Sequence, residues 1–356
     1  MRRPAALLLT AAVLLSLSGC SNPADRAARM EDLALLRVLA VDGGDEGVKV
    51  TAATGETSQQ PALVLRAEGK TVIAACLAIR GDGTAYPSYT HLDQLLIGEE
   101  LALGGLGELL ESVERDRELR LSSRLWLVRG TAGDTLSEET AGRVVERLSM
   151  LEEMAGVGSN DMDRTIGAAI VSLQRSGATF LPALTLSEEG NLLAAGYGVL
   201  KGDRLVCYLE GDCSKGVDLM LGITTDDVVE LTLPGGQAAA VRLNGVRSGI
   251  SGEFRDGVLT GIRISSKLTG TAAQLPADWV WTDESVRLLE EVTADWAEDC
   301  IRQSLAMMQS VNADPLELCR RIGVRAPGRW ESLREQWETV FPGLEILAEA
   351  EVKMTR

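Results

Sequence analysis

Histidine, the side chain with the widest catalytic repertoire, occurs once in 356 residues, at His91. A Ser-His-Asp triad can run only through that residue, and zinc sites built on several histidines are excluded. His91 follows Tyr86-Pro87-Ser88-Tyr89-Thr90 and reads as a packed or surface residue rather than a ligand. Glu99 and Glu100 are adjacent carboxylates, but neighbours on a helix point about 100° apart and do not converge on one bond. They suit a helix first turn, where acids stabilise the dipole, with Gly98 at a tight strand-to-helix junction. Gly104-Gly105-Leu106-Gly107 is too compact for a phosphate loop, and no Lys-Ser/Thr follows it. Glycine within a helical pattern marks a kink or the close approach of another element. No catalytic residue, cofactor-binding residue or metal ligand is assigned, and a non-enzyme is expected.

The remaining chemistry belongs to the cysteines. Residues 1–20 carry Arg2 and Arg3, an apolar run from Pro4 to Leu17, and then Ser18-Gly19-Cys20. Positive charge before a short apolar stretch is the layout of a secretory signal peptide, and the run is shorter than the ~20 residues that span a bilayer. Leu17-Ser18-Gly19-Cys20 matches the bacterial lipobox, so residues 1–19 are expected to be removed and Cys20 acylated. Two acyl chains give stable anchoring rather than reversible contact. No other stretch reaches spanning length, so the body is expected to be soluble and extracytoplasmic. Cys76, in an apolar run, reads as a small buried hydrophobe. Cys207 with Cys213, and Cys300 with Cys319, are spaced so that either pair can bridge, but an odd set of five without a C-x-x-C favours free thiols.

The elements that must carry these residues make a mixed pattern. Hydrophobic residues are 45% and charged residues 24%, which excludes wholesale disorder, while aromatics are only 4%, so Leu, Val, Ala and Ile must fill the core. The formal charge is −17, and loss of Arg2 and Arg3 with the leader takes the body to −19. Such a body is repelled by nucleic acid and by anionic lipid, so no nucleic-acid partner is expected and membrane association needs something other than a basic patch. Strands are expected at 33–41 and 48–52 around an Asp42-Gly43-Gly44-Asp45 turn, then at 60–66 and 92–97. Residues 71–79 read as a strand or the start of a helix. One amphipathic helix is expected over 99–114, a strand over 124–128 and a helix over 138–154 capped by Ser137. The second half offers a hairpin over 193–209 and strands at 227–233, 238–243 and 259–265 separated by Gly-rich turns. A long helix is expected at 283–311, then short ones from Pro315 to Gly323 and over 329–341, and a closing strand over 344–354. Without βαβ alternation the fold class is α+β, multi-domain, with a division into a leader (1–19), an N-terminal region (20–190) and a C-terminal domain (191–356).

Several stretches together resemble one family. Glu31-Asp32-Leu33-Ala34, the run from His91 to Ala102, the run from Arg115 to Arg120, and Gly198 to Val206 followed by Tyr208-Leu209 fall in the order seen in the C-subunit lipoproteins of spore germinant receptors, the GerAC or Ger(x)C family. Gln309, Asp314, Gly323, Trp330, Trp337 and Phe341-Pro342 continue the series to the end of the chain. Cys207 stands where that family carries glycine, and the segment around Gly81-Asp82-Gly83 departs from it. The resemblance implies a lipoprotein of three mixed α/β modules, two of them in the N-terminal half. It implies a place beside two integral-membrane subunits in the spore inner membrane, in a complex that senses nutrients and triggers germination without catalysis.

Trp330 and Trp337 are seven apart and share a helix face, which with Phe341 forms an aromatic stripe. Its two readings are a helix packed on the C-terminal core and a partner-docking face, and packing is the favoured one. A free-standing lipoprotein that binds a solute for uptake is the alternative function. That class shows two similar βαβ lobes around a cleft, which this sequence lacks. A cell-wall enzyme would need a convergent carboxylate or histidine constellation, and none is visible.

Overall fold

The computed structural model describes residues 33–45, 47–56, 61–81, 86–115, 119–137, 140–153, 165–325, 328 and 330–355. Cys20 and the expected leader, residues 1–19, lie outside the described residues. In chain order the N-terminal half supplies β1 (Leu33–Gly44), β2 (Gly47–Thr54), β3 (Val64–Gly69), α1 (Val72–Gly81), β4 (Tyr86–Ser88) and β5 (Gln94–Gly98). There follow α2 (Glu99–Gly104), α3 (Gly107–Arg115), β6 (Arg124–Val128), α4 (Ala141–Glu153), α5 (Ile166–Ser176), β7 (Ala178–Leu186), β8 (Leu192–Lys201) and β9 (Arg204–Leu209). The rest is α6 (Asp212–Leu221), β10 (Asp227–Thr232), β11 (Ala238–Arg255), β12 (Val258–Gln274), α7 (Asp283–Ser310), α8 (Leu318–Arg325), α9 (Trp330–Val340) and β13 (Glu345–Thr355). The fold class is α+β.

The first sheet has nine strands in the order β3-β2-β1-β5-β6-β7-β8-β9, with β4 paired to the start of β1. Its centre, β1-β5-β6-β7, is parallel, and antiparallel strands flank it on both sides. The central strands read as continuous apolar runs because both faces are covered. Leu95 and Ile97 of β5 and Leu125 and Leu127 of β6 enter one core with α1, α3 and α5. Leu96, Trp126 and Val128 point the other way, into a core closed by α4. Gln94, the polar member of β5, is buried and accepts a 2.6 Å hydrogen bond from the indole Nε1 of Trp126.

The second sheet runs β10-β11-β12-β13, with β13 parallel to β12 and the other pairs antiparallel. The long β11–β12 hairpin turns at Asp256-Gly257, both at positive φ, as a two-residue hairpin turn requires. Helices α6 and α7 pack on this sheet, and the resulting core continues into Phe180, Tyr197 and Val199 of the first sheet. The nine-stranded sheet thus runs past residue 191 and shares a core with the second sheet and its helices.

Of the two readings open for residues 71–79 the helix is found, over 72–81: Thr71 caps it by accepting from Ala74 N, and three alanines outweigh the β-branched Val72, Ile73 and Ile79. Other sequence expectations change. The single helix expected over 99–114 is two helices broken at Gly105, whose φ is +125°. Helices α5 and α6 are additions to the expected elements, and β11 and β12 are far longer than expected.

Candidate functional site

The stretch from His91 to Ala102 is the central strand β5 and the first turn of α2. Where β5 ends, Asp42 at the end of β1 accepts hydrogen bonds from Ala132 N (2.6 Å) and Gly133 N (2.7 Å). A Cβ on Gly98 would lie 2.0 Å from Asp42 Oδ1, so only glycine lets the three strand ends meet. Burial raises the Asp42 pKa against the pull of those two N–H groups. Beside this lock Glu99 Oε2 accepts from Gly130 N at 3.0 Å. Arg129 lies 4.3 Å from the centre of the Tyr208 ring and pairs with Glu210 at 2.8 Å. Burial, helped by the nearby Glu99 carboxylate, pushes the Tyr208 hydroxyl well above its ordinary value.

The break between α2 and α3 brings the second signature stretch onto the first. Asp203, in the β8–β9 turn, accepts from Gly107 N through Oδ2 (3.2 Å), and its carbonyl accepts from Leu106 N at 2.7 Å. A Cβ at Gly105 or Gly107 would come within 3 Å of that carboxylate (2.8 and 2.9 Å). The glycine cluster is therefore the seat of an element from the far side of the sheet, one of the two roles its composition suggests.

A third lock joins the first sheet to the second module. Tyr197 of β8 donates to Asp218 Oδ1 of α6 at 2.5 Å, and Lys215 on the same helix pairs with Asp227 of β10. Asp218 is 2% exposed, and burial pushes its carboxyl up to about 7 despite the Tyr197 hydrogen bond and the Lys215 charge. Helix α6 meets α7 at Gly216, where an added Cβ would lie 2.0 Å from Ser304 Oγ. Further along, Gln309 donates through Nε2 to Phe341 O (2.8 Å) and Leu344 O (2.9 Å), which aims the chain into β13. Asp314 accepts from Leu318 N (2.8 Å) and Cys319 N (3.0 Å) at the start of α8, and burial pushes its carboxyl up to about 7.

Of the residues singled out from sequence, Trp337 and Phe341 stack at 5.3 Å and are buried in the second core. Trp330 opens α9, and its side chain lies outside the described residues. His91 and Glu100 are exposed, and Glu99 serves the Gly130 contact. Cys76, Cys207, Cys213, Cys300 and Cys319 form no disulfide among the described residues, and burial pushes Cys207 to about 11 and Cys319 to about 12, which suppresses the reactive thiolate. Among the described residues no group of three His, Cys, Asp or Glu is placed to hold a metal, and no helix is long and apolar enough to cross a membrane. Sequence reasoning missed the Tyr197–Asp218 contact. A lone acid amid the apolar positions of α6 was its only signal.

Residues 26–186 match the family described as the spore germination protein N-terminal domain, and residues 195–356 match the C-terminal family described as spore germination B3/GerAC like. The chain belongs to the GerAC family. Spore germination protein B3 of Bacillus subtilis (strain 168) is 26% identical over 350 residues, which span 92% of this chain and 91% of that protein. The crystal structure of the GerBC protein shares the fold, with a TM-score of 0.64 at 21% identity over 89% of this chain and 97% of that one. Asp203, Gln309 and Asp314, which lie in the stretches that resemble the family, each hold backbone in place.

Proposed function

We propose that this chain is a lipid-anchored, non-catalytic subunit of a nutrient germinant receptor in the spore inner membrane. The observation that carries this reading is the match of both GerAC segments, in order, across nearly the whole chain. The site geometry supports it. The carboxylates of Asp42, Asp203 and Asp314 are spent on backbone N–H groups, an arrangement that builds a stiff body. Residues 1–19 are the leader, and Cys20 carries the acyl chains. The anchor turns a three-dimensional search for two integral-membrane subunits into a two-dimensional one and so raises effective concentration. In this reading residues 20–190 and 191–356 are the two working regions. Trp337 and Phe341 fix α9 on the second core, so docking along that helix falls to exposed residues such as Glu331 and Arg334.

The Cys20→Ala variant tests the anchor. It is expected to leave the spore membrane fraction and to slow nutrient-triggered germination, measured as loss of optical density. Normal germination with the variant released from the membrane would refute an anchored subunit. The solute-uptake alternative expects two similar lobes; here a nine-stranded sheet with a parallel centre is joined to a four-stranded, mostly antiparallel one.

A further inference from the structure

We propose that Asn244-Gly245, in β11, is a site at which the chain modifies itself: the Asn244 carboxamide closes onto the Gly245 backbone nitrogen and is converted to aspartate and isoaspartate. Five asparagines occur in the sequence, and only Asn244 is followed by glycine. A side chain after the asparagine crowds the nitrogen that must attack, and glycine has none. The fold leaves this peptide open. Leu243 pairs with Gly270 and Gly245 with Thr269, so Asn244 is the extra residue of a bulge and faces no partner in β12. On the other flank the last pair with β10 joins Leu243 to Asp227, and beyond it β11 runs beside β12 alone. Asn244 is exposed, and its carboxamide has no hydrogen-bond partner among the described residues. A Cβ built on Gly245 would meet only Thr269 Oγ1, at 3.6 Å. The other described asparagines are restrained. Asn191 donates to Glu189 Oε2 at 3.4 Å and precedes Leu192, and Asn312 donates to Glu338 O at 2.9 Å and precedes Ala313.

The reaction closes on the groups present. The Gly245 nitrogen gives up its proton and bonds to Asn244 Cγ, and the bond from Cγ to Nδ2 breaks. Ammonia leaves with that proton, and a cyclic imide remains. Water then opens the ring at one carbonyl or the other, giving aspartate or isoaspartate with the chain intact. Water is the only co-reactant. Each conversion adds a negative charge to a chain of net charge −17, and isoaspartate adds a methylene to the β11 backbone. That change falls just before Ser248, whose hydroxyl donates to Leu219 O at 2.5 Å and so seats the end of α6.

The test holds the detergent-solubilised full chain in warm, mildly alkaline buffer and follows it by peptide mass mapping and with an isoaspartyl methyltransferase. The peptide containing Asn244 is expected to gain the mass of an oxygen in place of an NH and to become a methyl acceptor. Peptides containing Asn191 and Asn312 are expected to change at least about ten-fold more slowly. Gly245→Ala, whose Cβ the fold accommodates, is expected to melt like the parent and to convert about ten-fold more slowly. Asn244→Gln is expected to abolish both signals at this peptide. The urea-unfolded chain gives the reference rate of the bare sequence. Conversion in the folded chain more than about a hundred-fold below that reference would mean that only unfolding exposes the peptide, and would overturn the proposal. So would equal rates in Gly245→Ala and the parent, or Asn191 or Asn312 reacting as readily as Asn244.

Discussion

At Asp218 a carboxyl group is buried where Tyr197, Lys215 and, through Lys215, Asp227 converge. Burial dominates and lifts its pKa from 3.8 to about 7, so the folded state keeps a proton that the unfolded chain has lost. Between those values the native state binds more protons, and this contribution to stability falls as pH rises. Asp218→Asn keeps an acceptor for Tyr197 and removes the titration. The urea midpoint of the wild type relative to the variant is therefore expected to drop between about pH 4.5 and about pH 8. A constant difference would mean that Asp218 is ionised throughout. Residues of this kind divide by how they show in sequence. Gly98 and the Gly104–Gly107 cluster are legible, because glycine at an element boundary has few other uses. The Tyr197–Asp218 contact is not, since it joins two elements and leaves no period in either.

Among the elements, α7 and β13 show how an edge is closed. β13 pairs with β12 on one side only, and an open edge invites pairing with another chain. Here Glu298 accepts from Ala350 N (3.1 Å) and Glu290 from Met354 N (2.9 Å). Eight helical residues advance about 12 Å and four strand residues about 13 Å, so the two spacings register. Replacing both glutamates with alanine is expected to lower the melting temperature, at about 1 kcal/mol per lost bond, and to increase aggregation by light scattering. An unchanged scattering onset would show that the helix covers the edge without these bonds. Helix α7 itself is plain in sequence from its length, and Thr282 caps it. β11 reads short in sequence because Gly245, Gly249 and Gly252 look like turns, whereas they sit within the strand, with bulges at Leu243/Gly245 and Glu253/Phe254. Helix α6 is hidden for a related reason. Its Gly216 reads as a breaker yet exists for the crossing with α7.

For the whole molecule, the excess of acids over bases is the dominant long-range term. A net charge of −17 on one body repels itself, and raising ionic strength from about 0.01 M to about 0.15 M shortens the screening length from about 30 Å to about 8 Å. The melting temperature is expected to rise by several degrees over that range in sodium chloride. A fall would show that ion pairs such as Arg263 with Glu253 and Glu349 outweigh the repulsion. The α+β class is readable because strands and helices alternate without a βαβ period. The joining of the two sheets through one core is not, since it depends on which faces of β7 and β8 meet α6 and α7.

The placement of β13 also bears on how the polypeptide comes together over time. The second sheet gains its fourth strand only when residues 345–355 exist, and Gln309 has neither of its two carbonyl partners until residues 341 and 344 exist. Synthesis proceeds from the amino end, so the long hairpin and α7 must wait, with an apolar flank uncovered, for residues 345–355 to leave the ribosome. Completion of this half therefore waits on β13, and a chain stopped before residue 345 is left with an unsealed hydrophobic flank.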